Sequence, residues 1–236
     1  NLPTDQRWLL VLTIAGAACV ALTRRLSPAI DARAGRSTAP LRRSRKEVSR
    51  LAPLFGLDAF AGGFVVSTFL VFWFGRRFGA SAELMGLVLF CSGLLQALSS
   101  IASGWIATRI GLLTTMVFTH LPSNVLLILI PVMPTLGSAT AMLLLRSTLS
   151  QMDVPARQAY VTALVDPEER TAAAAFTNTA RYVVRPLGAA SAGLLMQSVA
   201  MGAPFVVAGV LKSLYDVLLF ARFRRVPLPE EHRSGH

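Results

Sequence analysis

Apolar residues fall into seven runs, over residues 8–22, 51–74, 84–107, 112–132, 136–156, 171–197 and 204–220. A helix needs roughly 20 predominantly apolar residues to cross about 30 Å of hydrocarbon. The first run is short by that measure and the sixth is diluted by polar residues; the others meet or approach it. Between them lie short turns, GRRFGAS, TRIG, MPT, VDPEER and VAMGA, rich in the residues that end helices. The exception is the stretch 24–50, with Pro40 and several Ser, Thr and Gly, which reads as a linker with room for a surface helix. The pattern predicts an all-α integral membrane protein.

Composition sharpens this picture. Hydrophobic residues make up 53% of the 236-residue chain and charged residues 15%, against about 25% charged in a soluble domain. The net charge of +11 could suggest nucleic acid, but nine of the 23 Lys and Arg lie within residues 24–50. Basic clusters beside membrane helices anchor to anionic lipid, and no basic face is left for nucleic acid. Counting Lys and Arg in loops puts the linker, Arg109, the VDPEER turn and the tail on the cytoplasmic side, with Arg7, Arg76 and Arg77 outside. Cys19 and Cys91 each sit in an apolar run and read as small buried hydrophobes, without metal-ligand spacing. The first run is no signal peptide, since Arg24 and Arg25 follow it. Because the chain starts at Asn1 part way into a membrane architecture, it reads as a piece of a longer protein.

Two stretches carry a family resemblance. GWIATRIGLL is similar to the glycine-bracketed G-x-L-a-D-r-x-G-r-k loop of the major facilitator superfamily: Gly104, Ala107, Arg109 and Gly111 match, while Thr108, Leu112 and Leu113 depart from it. MDVPARQAYVTALVDPEERTAAAAFTNTARYVVRPLGAASAGLL, residues 152–195, resembles the tenth and eleventh helices of drug-efflux and related solute carriers of that superfamily. The resemblance implies a six-helix half of 3+3 repeats plus one preceding helix. Residues 1–23 would close a missing first half, 24–50 form a basic cytoplasmic linker, 51–221 the six-helix half and 222–236 a tail. It further implies that the second, third, fifth and sixth runs line a path while the first, fourth and seventh support them. In the VDPEER turn, Asp166 is expected to cap a helix, Pro167 to occupy its first position, and Glu168 and Glu169 to face its positive end.

The candidate path residues are charged or polar side chains at helical spacing inside apolar runs. Arg146, Ser150, Asp153 and Arg157 form one stripe; Asn178, Arg181 and Arg185 form another; Ser92, Gln96, Ser99 and Ser103 form a milder third. Asp58 enters the second run about two turns from its cytoplasmic end, near Gly62 and Gly63. A charge at bilayer depth costs roughly 2.5 to 3.5 kcal/mol on insertion scales, so each requires a partner or a watery cavity. The substrate or ion path is therefore assigned to Asp58, Gln96, Arg146, Ser150, Asn178, Arg181 and Arg185, and the gating or loop role to Gly104, Arg109, Gly111, Asp153 and Arg157. Each has a structural alternative. Arg146 could pair with the missing half or snorkel, Asp58 could form a salt bridge instead of carrying a proton, and Asp153 with Arg157 could be an ion pair. Arg181 or Arg185 could satisfy a carbonyl freed where Pro186 breaks its helix. Gly188, Ala192 and Gly193 read as close-packing positions, Lys212 with Asp216 as a local pair one turn apart, and His120 with Asn124, also one turn apart, as packing polars in preference to the alternative of a proton relay.

No HExxH, Walker loop, paired-Cys motif or catalytic domain is present in the sequence, so the reading is no enzyme, no cofactor and no metal site. It favours a gradient-driven, ion- or proton-coupled transporter of a small solute in the plasma (cell inner) membrane, working by alternating access, with efflux or antiport suggested by residues 152–195. Expected partners are the solute, membrane lipid and the missing N-terminal half. The alternative is a seven-helix receptor or sensor, against which stand the tiny outer loops and a long basic loop directly after the first helix.

Overall fold

The computed structural model describes residues 8–25 and 39–226. Arg7, linker residues 26–38 and tail residues 227–236 lie outside the described residues. Helix α1, Trp8–Thr23, belongs to a unit of its own, residues 1–38. At about 1.5 Å per residue its 16 residues span roughly 24 Å. Cys19 on it is exposed rather than buried.

The second unit, from residue 39 onward, is built of eight helices: α2 Arg45–Gly63, α3 Ser67–Phe78, α4 Ala82–Ile110, α5 Leu112–Leu129, α6 Leu136–Ser147, α7 Asp153–Leu164, α8 Arg170–Ser198 and α9 Ala203–Phe223. Two single 3-10 turns, Ile130–Val132 and Pro167–Glu169, complete it, and the described residues contain no strand. Among the described residues, four spans are long and apolar enough to cross a membrane: Arg45–Phe78, Ala82–Ile110, Leu112–Val132 and Ala203–Phe223.

Local chemistry sets the boundaries. The Ser81 hydroxyl caps α4 by accepting from the Leu84 N–H, and Thr135 with Ser138 forms a reciprocal capping box at α6. Gly79 ends α3 at φ 69°. Gly111, at φ 86°, is at once the last cap of α4 and the first of α5, so a single residue reverses the chain where a side chain would be strained. Gly104 contributes no close approach: a Cβ there would meet nothing within 4 Å.

Several elements depart from the sequence pattern. The second run starts at Arg45, with Val48 fully buried, so Asp58 lies near the middle of a 34-residue span and not two turns from its end. That span is interrupted between Gly63 and Ser67, and the fifth run between Ser147 and Asp153. At the second break the backbone does not go unpaired. The Arg146 carbonyl accepts from both Leu149 and Ser150 N–H, and the Ser103 hydroxyl on α4 donates to the Met152 carbonyl at 2.5 Å. Irregular backbone at membrane depth is tolerated where protein or a cavity satisfies it. Helix α8, by contrast, runs unbroken through Pro186.

Two apolar clusters occupy opposite stretches of these helices. One gathers Val48, Leu51, Phe55, Met116, Tyr160, Leu164, Tyr215, Leu219 and Phe223; the other gathers Phe64, Trp73, Phe74, Met85, Leu127, Ile130, Leu143 and Phe205. On α2, α5 and α9 the polar residues Asp58, His120 and Lys212 fall between the two sets in sequence. Helix crossings are close because the contact residues are glycines. A Cβ on Gly63 would collide with the Arg185 carbonyl, one on Gly188 with the Phe60 carbonyl, and one on Gly209 with Ile128 and the Asn124 carbonyl. Small residues let membrane helices approach backbone to backbone.

Gly188→Ala should therefore destabilise the protein by about 1–3 kcal/mol, the usual range for overpacking. Gly193→Ala, on the same helix with nothing within 4 Å of its added Cβ, should leave stability unchanged or slightly raised. Thermal unfolding of the two purified variants in detergent checks the pair, and equal melting temperatures would contradict the packing assigned to the α2–α8 crossing.

Candidate functional site

The site is organised around one carboxylate. Asp58 on α2 is buried, and its Oδ1 accepts from the Lys212 ammonium of α9 at 2.5 Å. Its Oδ2 accepts from Arg157 Nη1 of α7 at 3.3 Å and lies 3.6 Å from Arg181 Nη2 of α8. The same Arg157 nitrogen donates to Asp153 Oδ2 at 2.8 Å, one turn back on α7. A buried charge is tolerated only when paired and hydrogen-bonded, and this cluster pairs one carboxylate with cations from three other helices.

A second carboxylate lies behind the first. Asp216 on α9 is fully buried; its Oδ2 accepts from the Asn124 amide at 2.8 Å, and its two oxygens lie 3.0 and 3.1 Å from His120 Nδ1 on α5. The other nitrogen of the ring, Nε2, points to Asp58 Oδ1 at 4.0 Å. His120 and Asn124 are thus not inert packing polars. Nor do Lys212 and Asp216 form the expected local pair, since Lys212 bonds across to α2 and Asp216 across to α5.

Asp58, His120, Arg157, Arg181 and Lys212 face a cavity of about 610 Å³, while Asn124 and Asp216 lie behind its wall. All seven residues assigned to the path from the sequence, Asp58, Gln96, Arg146, Ser150, Asn178, Arg181 and Arg185, line it, as do Asp153 and Arg157. The break between α6 and α7 keeps Arg146, Ser150, Asp153 and Arg157 on one wall although they do not share a continuous helix. Gly104, Arg109 and Gly111 are elsewhere, at the α4–α5 turn, where the Arg109 guanidinium stacks 4.0 Å over the Trp105 ring. The cavity also holds His120 and Lys212 from α5 and α9, helices expected only to support the path.

The wall carries five cations, Arg146, Arg157, Arg181, Arg185 and Lys212, against two carboxylates, Asp58 and Asp153. Among the described residues, no carboxylate lies within ion-pair distance of Arg146 or Arg185. Arg146 Nε and the hydroxyls of Ser92 and Ser150 are buried without a hydrogen-bond partner. Gln151 donates to Gln96 across the wall at 3.2 Å. Buried polar groups left unsatisfied are costly, typically by about 1–3 kcal/mol, so this wall is arranged to be completed by something polar.

Away from the cavity, the 3-10 turn Pro167–Glu169 is fastened to the chain entering α2. The Glu169 carboxylate accepts from three successive backbone N–H groups, of Arg42 and Arg43 at 2.8 Å each and Ser44 at 2.9 Å. The Asp166 N–H donates to the Ser44 hydroxyl at 3.1 Å, and Arg43 lies 3.8 Å from Asp166. Glu169 thus serves the positive end of α2 and not that of α8, as its position in the sequence had suggested, and Asp166 makes no side-chain cap.

Comparison with known proteins places this architecture. The sequence profile of the Major Facilitator Superfamily matches residues 51–236. An uncharacterized membrane protein of Saccharomyces cerevisiae is 26% identical over 175 residues, which cover 74% of this chain and 39% of the yeast protein. The chain therefore spans about two fifths of the length of that curated relative. No solved structure matches it.

The Glu169 clasp generates a pH prediction. The backbone N–H of Ser44 foremost, with those of Arg43 and Arg42, lowers the Glu169 carboxyl to about 2 from an ordinary value of 4.5. A depressed folded-state value means stabilisation that is complete above the unfolded value and lost as pH falls through the folded one. The clasp should thus weaken between about pH 5 and pH 2. Glu169→Gln should lower the melting temperature by a few degrees at neutral pH and remove this part of the acid dependence. Melting curves of both proteins across that range check it, and parallel curves would exclude the clasp as a contributor.

Proposed function

The chain belongs to the major facilitator superfamily, and we propose that it forms the cavity-bearing half of a multi-pass secondary transporter whose small solute carries an anionic group. The observation that carries this reading is the imbalance of the cavity wall, five cations against two carboxylates, with no carboxylate among the described residues in ion-pair reach of Arg146 or Arg185. A carboxylate or phosphate about 4 Å from a guanidinium gains roughly 4 kcal/mol at an effective dielectric near 20. Guanidinium groups also bind such oxygens with two parallel hydrogen bonds. The unpaired Ser92 and Ser150 hydroxyls and the Gln96 and Asn178 side chains supply neutral contacts for the rest of the solute.

In this reading α2 with α3, α4 and α5 form one triplet, and α6 with α7, α8 and α9 the second. The interrupted helix stands first in each. Interrupted segments at corresponding places of two repeats are the usual sign of a midplane binding site. Alternating access comes from rocking this half against another part of the full-length protein. The solute gathers at Arg146 and Arg185, and Asp153 with Arg157 close the wall toward the end that bears the basic linker. The efflux-like sequence of residues 152–195 supports export across the plasma membrane. The receptor alternative is disfavoured by family membership, whose members are transporters.

Flux into vesicles holding the full-length protein tests this, with a panel of carboxylates, organic phosphates, sulfonates and uncharged amphipathic compounds. Arg146→Ala should cut saturable anion flux by about tenfold or more, the value of one lost charge-assisted hydrogen bond. Arg76→Ala, at the exposed end of α3, should not. Unchanged transport of every anion in Arg146→Ala would sink the anionic reading and leave Arg146 as a partner for a carboxylate elsewhere in the full-length protein.

A further inference from the structure

Asp58, a buried carboxylate near the middle of its span, is poorly placed to carry a proton. Oδ1 is taken by Lys212, and Oδ2 is shared by Arg157 and Arg181. His120 is differently situated. His120 Nδ1 lies 3.0 and 3.1 Å from the two Asp216 oxygens and 3.4 Å from the Asn124 amide nitrogen, which already donates to Asp216 at 2.8 Å, so the shorter contacts favour an Nδ1–H presented to Asp216. That tautomer leaves the Nε2 lone pair facing the Asp58 Oδ1 lone pairs at 4.0 Å. Two acceptors confront each other across a gap that a proton would turn into a donor–acceptor contact.

We propose that His120 Nε2 is the proton-loading site of this protein, and that the proton it takes is what couples solute binding to the proton gradient. When the proton arrives, the imidazolium donates toward Asp58 Oδ1 through Nε2 and toward Asp216 through Nδ1. It then competes with Lys212 for Oδ1, and Lys212 already lines the cavity. The cavity wall gains one positive charge and a loosened ammonium, so anions bind more tightly to the protonated form. By reciprocal linkage, a bound anion holds the proton more tightly. The groups facing the ring are Asp58 from α2, Arg157 from α7 and Arg181 from α8 through that carboxylate, Lys212, Tyr215 and Asp216 from α9, and Asn124 from its own helix. Its two nearest carboxylates, Asp58 and Asp216, face opposite nitrogens of the ring. The flux consequence rests on the transporter reading above; the proton site itself does not.

The test has two arms on the full-length protein. In nanodiscs, the histidine ring signal assigned to His120 by its loss in His120→Gln should respond to pH. Asp216→Asn and Asp58→Asn should each alter that response, since each removes a negative charge facing the ring. In vesicles, anion kcat/KM should rise about tenfold from pH 7.5 to pH 5.5, the effect of one added charge across a cavity of this kind. In His120→Gln it should vary less than about twofold over the same range. Asp216→Asn, which keeps the size of the side chain and a contact for Asn124, covers the case in which His120→Gln does not fold. A His120 signal that does not respond to pH, or a response indifferent to both carboxylate substitutions, overturns the proposal, as does a pH dependence of flux that survives in His120→Gln. Absence of flux for every anion would instead overturn the transporter reading, with the ring titration still deciding the proton site.

Discussion

Everything in the polar layer depends on how one buried carboxylate is shared. Asp58 draws Lys212, Arg157 and Arg181 to itself and stands 4.0 Å from His120, so α2, α5, α7, α8 and α9 converge on a single group. The carboxylate is buried, and an isolated ion there would cost several kcal/mol, so the cations cannot disperse without leaving charge unmatched. The same sharing explains why Arg146 and Arg185 are left over. Two cavity carboxylates are consumed by three cations, and none remains within reach of the other two. The structure of the polar layer and the proposed solute preference thus trace to one allocation of charge.

That allocation requires short distances between helices, and the glycines supply them. Gly62 and Gly63 follow Asp58 by about one turn; a Cβ on the first would sit 3.9 Å from the Lys212 ammonium, and one on the second would meet the α8 backbone at Arg185. With any larger residue at Gly63 or Gly188, α8 would stand off from α2 and Arg181 would no longer reach the carboxylate. The apolar clusters on either side, around Phe55 and Tyr215 and around Trp73 and Phe205, hold this layer between two well-packed bodies of side chains.

What was legible in the sequence is what periodicity and charge can carry. Charged residues at helical spacing in apolar runs located Asp58, Arg146, Arg157, Arg181 and Arg185, and these do line one cavity. Pairings between helices were not legible. Lys212 and Asp216 are one turn apart and satisfy every local rule for an ion pair, yet partners 154 and 96 positions away in the chain win them, because the buried interior offers better-desolvated contacts than the shared helix surface. His120 was similarly hidden: a lone histidine one turn from an asparagine says nothing about the carboxylates that other helices bring to either side. The two helix breaks were invisible for a different reason. No proline marks residues 148–152, and the break is held by the Arg146 carbonyl and by Ser103 from another helix.

These constraints also divide the wall into stiff and compliant parts. The α2–α8 crossing at Gly63 and Gly188 is a backbone contact with no side chain between to repack, the α5–α9 crossing at Gly209 sets that glycine against the Ile128 side chain and the Asn124 carbonyl, and Lys212 ties the two pairs together through Asp58. Packed contacts of that kind shift as units and do not deform gradually. The α6–α7 connection is different. It is joined by turn hydrogen bonds of 3.0–3.3 Å and one bond from Ser103, and it carries Arg146 on one side and the Asp153–Arg157 pair on the other. A solute that draws Arg146 toward itself pulls on the carbonyl that closes this break, whereas one that draws Arg181 pulls against the glycine crossing. On the alternating-access reading, the compliant segment is therefore residues 148–152, and Arg146 is the side chain through which solute charge reaches it.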